Sequence, residues 1–135
     1  MPTFALSSSS SRRMKDVHPD LQRVAIRAIQ ITKVDFGIPE HGGKRTAQIQ
    51  NMLYKTANKY KGPDGYEKIG KHQTGHALDF YAYVDGKANW EEVYLAQVAC
   101  AFFQAAIELG VKIGWGGLFS TWSDMPHIEL VDSYV

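Results

Sequence analysis

Hydrophobic positions along this chain follow two spacings, one helical and one alternating. Leu21, Val24, Ala25, Ala28, Ile29 and Ile31 recur mostly at helical intervals. Just before them, Val17-His-Pro-Asp-Leu21 reads as a helix start, with His18 near the cap, Pro19 in the first turn and Asp20 at the positive end of the dipole. This helix should stop near Thr32–Lys33, and Val34–Ile38 reads as a short strand broken by Pro39. A glycine-containing turn, Glu40–Thr46, leads into a second helix whose apolar face is Ile49, Met52, Leu53 and Ala57. Residues 58–70 are polar and turn-rich, which predicts a long loop.

From His76 to Val84 the pattern alternates. Leu78, Phe80 and Ala82 share one face, while Ala77, Asp79, Tyr81 and Tyr83 share the other, as in a strand. Asp85–Asn89 is a turn. Trp90–Leu109 is the longest helix, ended by Gly110, with Val93, Leu95, Val98, Ala99, Phe102, Phe103, Ala106 and Ile107 around much of its circumference. It should be the central buried helix. Val111–Ile113 and Pro126–Val131 are strands on either side of a flexible turn at Gly114–Gly117. The predicted class is α+β, a small, mainly antiparallel sheet with about three packed helices.

The chain's 135 residues suit one domain. The serine run at 7–11 reads as the end of a flexible N-terminal leader, residues 1–11, ahead of a single domain over 12–135. A net charge of +1 gives no global field toward nucleic acid or anionic lipid. No apolar run approaches the ~20 residues of a membrane span, and no secretory signal is evident. The one cysteine, Cys100, excludes an internal disulfide and is expected to be a packed, inert thiol.

The candidate chemistry lies in two stretches. Lys71-His-Gln-Thr-Gly-His-Ala-Leu-Asp79 offers His72 and Asp79, and Asp124-Met-Pro-His127 offers a second imidazole. Two imidazoles and a carboxylate suit a zinc ion that keeps a position open for water. Asp79 shares its strand face with tyrosines, where an unpaired carboxylate would be costly, so a metal ion or a cation is expected beside it. Arg45, near a helix start, gains nothing from the dipole; it is either solvated or aimed into a cleft. His76 is expected to be structural or to support a ligand, and His41 to be a loop histidine. Trp115 and Trp122 are either packing residues or cleft walls.

These stretches resemble the LAS group of zinc peptidases, whose signature is His-x-x-Gly-x-Ala-x-Asp followed by an acidic residue three before the last zinc ligand. The resemblance takes in Val17–Leu21, Arg45-Thr with Gln50, and Gly114–Gly117, and covers roughly residues 12–130. It is nearest to the phage L-alanyl-D-glutamate endopeptidase branch, within the D-Ala-D-Ala carboxypeptidase-like superfamily. The resemblance implies a LAS/Hedgehog-like fold, one Zn2+ on His72, Asp79 and His127, Asp124 as general base and Arg45 at the oxyanion. Gln50, Trp115 and Trp122 would contact or wall the substrate. Gly70 departs from the group's usual serine at that position.

The implied function is that of an endolysin: a hydrolase cutting the L-Ala–D-Glu bond of peptidoglycan stem peptides, and so an antimicrobial activity. Such an enzyme is a monomer held in the host cytoplasm until a pore-forming protein opens the membrane, and it then acts on the cell wall. The alternatives are a D-Ala-D-Ala carboxypeptidase or dipeptidase, and a zinc-binding module without catalysis. Some relatives respond to calcium, for which Asp85, Asn89, Glu91 and Glu92 carry oxygen ligands, although a solvated turn is the simpler reading.

Overall fold

The computed structural model describes residues 3–58, 62–120 and 123–132. The fold is α+β. Its centre is the packing of α2 (Pro19–Ile31) on α5 (Glu92–Leu109). On α2 the predicted stripe Leu21, Val24, Ala25, Ala28 and Ile29 is buried, and His18 caps the helix by accepting the Asp20 amide at Nδ1. On α5 the buried residues include Leu95, Val98, Phe102, Ala105 and Ala106. Phe102 stacks on Phe80 and meets Phe36, with ring centroids 5.4 and 5.1 Å apart. Each such side chain removed from water contributes about 1.5–3 kcal/mol.

By length and composition α5 could cross a membrane, but its apolar side is the core of this domain. The helix is not buried all round: Val93 and Ile107 are exposed. Cys100 is also exposed rather than packed, because it lies on the side of α5 away from Ala99 and Phe102.

Two three-stranded antiparallel sheets replace the single sheet expected. One has the order β1 (Phe36–Gly37), β3 (Tyr81–Val84), β4 (Lys87–Asn89); the other has β2 (Ala77–Asp79), β6 (His127–Leu130), β5 (Ile113–Trp115). The alternating run from His76 to Val84 therefore serves both sheets. It breaks at Phe80, whose amide bonds to Pro126 O at 2.8 Å. The Asp85–Asn89 stretch is a tight turn running into β4, with Asp85 and Gly86 both at positive φ. The turn expected at Gly114–Gly117 is strand β5 running into a 3-10 turn, Gly116–Leu118.

The serine run is not loose. Ser8–Arg13 forms helix α1, capped by Ser7, and Ser10 is buried with its Oγ accepting the Ile38 amide at 2.9 Å. A polar run can be ordered this way because serine hydroxyls satisfy backbone donors at helix starts. The remaining helices are α3 (Ala47–Thr56) and the single turn α4 (Lys71–Thr74). The apolar face of α3 does not enter the core: Met52 is exposed and Leu53 half-buried, and this helix instead walls a cleft.

Candidate functional site

The order of residues in the 71–79 stretch has a local physical cause. Helix α4 ends at Gly75, whose φ of 80° is a left-handed conformation open to glycine at little cost. A Cβ there would also press on Asp16 O at 3.0 Å. Ala77 is fully buried, and β2 then presents Asp79. His72 therefore comes from a helical turn and Asp79 from a strand, with a reversal between them. The register of β2 on β6 sets Asp79 opposite His127.

The loop before α3 clasps this unit. Asp79 N donates to Gly42 O at 2.8 Å, Arg45 N to His72 O at 3.0 Å, and His72 Nδ1 bonds to Gly43 O at 2.9 Å. His41, at φ 64°, turns its carbonyl onto Arg45 Nε at 2.7 Å. Arg45 is thereby drawn inward, with Nη2 3.0 Å from Asp79 Oδ2 and Nη1 3.1 Å from Gln50 Oε1. Gln50 is itself buried and donates to Pro63 O.

His72 Nε2 lies 3.1 Å and His127 Nδ1 3.2 Å from Asp79 Oδ1, and one ligand atom from each of these three residues lies within 4.8 Å of the others. The donor set fits a metal ion. The second ring nitrogen of each histidine has its own acceptor, Gly43 O for His72 and Glu129 Oε1 at 2.9 Å for His127. Both imidazoles can thus stay neutral with a lone pair on the shared point. Asp124 lies beside them, Oδ2 3.9 Å from His127 Nδ1. Its position depends on Gly116, whose carbonyl accepts the Asp124 amide at 2.9 Å.

Each charged side chain here acts on its neighbours. Burial works against the Asp79 carboxylate, yet the charge of His72 and hydrogen bonds from both histidines hold its pKa well below the usual carboxylate range. Burial would lower His127, but bonds to Asp79 and Glu129 push it up to about 9. Burial, then the Asp79 charge, raises Asp124 above an ordinary aspartate. Burial lowers the Arg45 pKa against the opposing charges of Asp79 and Asp124.

The group lies in a cleft of about 600 Å³ walled by Leu53 and Tyr54 of α3, its capping residue Ala57, Pro63 and Ile69 of the long loop, and Phe119. The expected residues His72, Asp79, His127, Asp124, Arg45 and Gln50 all meet here. Trp115 does not line the cleft; its indole N–H binds Met125 O at 2.6 Å and so braces the segment carrying Asp124. Trp122 lies outside the described residues. Tyr54, Phe119 and Glu129 line the cleft without being marked by the sequence reading. Phe119 packs on the His127 ring at 5.7 Å, and nothing in its local pattern marks it. Glu129 was detectable, since a residue two after His127 on a strand shares its face.

Gly70 is explained by the loop. A Cβ there would lie 2.9 Å from Pro63 Cγ, so a serine would displace this wall. His76 packs at a tilt on the His18 ring, with its Nδ1 2.8 Å from Thr74 Oγ1, a structural role. Asp85, Glu91 and Glu92 belong to no converging ligand group among the described residues, and Asn89 Oδ1 accepts the Glu91 amide.

The phage L-alanyl-D-glutamate peptidase family model matches residues 2–131 of this chain. The L-alanyl-D-glutamate peptidase of Escherichia phage T5 is 34% identical over 130 residues, covering 95% of this chain and 90% of the relative. The crystal structure of the L-Ala D-Glu endopeptidase ChiX of Serratia marcescens superposes with a TM-score of 0.80 at 32% identity, covering 96% of this chain and 91% of the other. On the family match, with both relatives spanning nearly their whole length, the chain belongs to the phage L-alanyl-D-glutamate peptidase family.

Proposed function

We propose that this chain hydrolyses the L-alanyl–D-glutamate amide of peptidoglycan stem peptides, with His72, Asp79 and His127 holding one zinc ion. The observation that carries the reading is the convergence of those three side chains, with Asp124 beside them, inside a cleft. When bound, zinc supplies a Lewis acid that brings the pKa of water to about 7.

The chain's own groups do the rest. Asp124 takes the proton of the attacking water and delivers it to the departing amine of D-Glu. Its place beside His127, partly withdrawn from solvent, suits this double duty, because the carboxyl reaches the same point for both proton transfers. Three of the Arg45 donors hold His41 O, Gln50 and Asp79. Its other two N–H groups remain to meet the charge that develops on the amide oxygen. Gln50 keeps the guanidinium in that orientation. Leu53, Tyr54 and Phe119 exclude water from the peptide around the scissile bond.

The match to a phage family supports a role in host lysis. The enzyme then works as a monomer that stays in the host cytoplasm until a separate pore-forming protein opens the membrane to the wall.

Digestion of purified peptidoglycan, with new termini identified by mass spectrometry and amine labelling, tests the assignment. New N-terminal D-Glu is expected. Release of free D-Ala would identify a carboxypeptidase, and no release by the zinc-loaded chain would identify a binding module.

A further inference from the structure

Glu129 divides its two oxygens between two donors. Oε1 accepts from His127 Nε2 at 2.9 Å, and Oε2 lies 2.8 Å from Lys71 Nζ. Lys71 Nζ also donates to Leu130 O at 2.7 Å, so the ammonium is pinned to the strand that carries Glu129. That strand, β6, lies between β2 and β5, with Glu129 opposite Ala77 on one side and Gly114 on the other. A carboxylate on a strand paired along both edges has little freedom to move. It sits on the side of the imidazole away from Asp79, since His127 meets Asp79 through Nδ1. Glu129 Oε1 therefore faces the ring nitrogen that the metal group does not use.

We infer that Glu129, anchored by Lys71, is a positioning residue that fixes His127 as the Nε2–H tautomer, with its Nδ1 lone pair turned to the shared ligand point. This rests on the proposed metal site and deepens it. The physical reason is that an imidazole has two nitrogens of similar basicity. Without a fixed acceptor it exchanges tautomers and rotates about χ2, so part of the population offers an N–H to the metal instead of a lone pair. A negatively charged acceptor also makes the ring a better donor of electron density. Lys71 lies immediately before the first histidine of the group, so one short turn supplies a candidate ligand from His72 and the clamp on another from Lys71.

The test is zinc affinity measured by competition with a chromophoric chelator, together with 15N shifts of the His127 ring in the zinc-loaded protein. The expected loss of affinity for Glu129→Ala is about 10–100-fold, with excess zinc restoring much of the activity. Glu129→Gln keeps an acceptor but no charge and should fall between. Lys71→Met, at a half-exposed side chain, should weaken zinc binding by a smaller factor. In Glu129→Ala the His127 shifts should move away from a single Nε2–H form.

Wild-type affinity and unchanged shifts in Glu129→Ala would overturn the inference. So would a Lys71→Met variant that raises KM for peptidoglycan fragments without changing zinc affinity, which would make the pair a substrate contact. The underlying metal reading fails differently: there, His127→Ala would bind zinc as well as the parent chain.

Discussion

Asp79 and His127 face each other across the β2–β6 ladder, and their side chains meet at 3.2 Å. The residues are far apart in sequence, so the site exists only once this pair of strands has formed. Coupling of site to fold gives the metal-free protein a defined pH response. His127, raised to about 9 from 6.5, contributes stability in full below about pH 6.5, and this is lost as pH rises toward 9. Glu129, lowered to about 2 from 4.5, contributes above about pH 4.5, and this is lost as pH falls toward 2. Urea melts of metal-stripped protein should therefore show a maximum between these limits and a decline of a few kcal/mol by pH 9. In His127→Gln the alkaline decline should flatten; an unchanged decline would contradict the assignment.

Asp124 reaches the site from the segment before β6, and its Oδ2 stays 3.9 Å from Nδ1 of the candidate ligand His127, beyond hydrogen-bond distance. Asp124→Asn should lower kcat about 10²–10⁴-fold while leaving zinc stoichiometry unchanged. Since burial, then the Asp79 charge, raises the Asp124 pKa before metal is bound, the Asp124 carboxyl of zinc-stripped protein should titrate above the ordinary aspartate value of 3.8, followed by its 13C shift. A titration at or below that value would contradict the placing of this carboxyl in the cleft.

Gly116 tests whether the Asp124 backbone must come so close. An added Cβ would collide with Asp124 O, which forces the two segments apart. Gly116→Ala should cost about 1–3 kcal/mol of stability. It should lower kcat by a larger factor than it lowers zinc affinity, because it displaces the base more than the ligands. Thermal melts and zinc titration measure the two effects separately, and equal losses in both would count against this division.

Ser10 supplies a further check, on the fold itself. Its buried hydroxyl is the acceptor for the Ile38 amide, so Ser10→Ala leaves a buried N–H without that partner. A loss of about 1–3 kcal/mol is expected by denaturant unfolding. A change within error would mean that the helix at residues 8–13 adds nothing to the domain.

The legible parts of the sequence were those where one local rule acts alone. The α2 stripe, its His18 cap and the Gly110 stop each carry a short-range signature and lie where expected, and the two stretches that carry the candidate ligands come together. The failures share a cause as well. Whether the serine run is ordered depends on an amide donor at Ile38, which the local composition does not reveal. Helix α3 shows the same apolar spacing whether it packs on a core or on a cleft, so the spacing of Leu53 and Ala57 does not reveal that they wall the site. Phe80 broke one predicted strand into two because its amide binds Pro126 O, a partner distant in sequence.

The central claim is that His72, Asp79 and His127 together hold a single divalent ion on which activity depends. Its most direct test is zinc titration of chelator-stripped protein, with peptidoglycan hydrolysis followed at each step, for the parent and for the three single alanine variants. The predicted result is one zinc per chain, activity rising in step with occupancy, and loss of tight binding in every variant. Full hydrolysis by the stripped protein, or a His72→Ala variant that binds zinc as the parent does, would contradict the account.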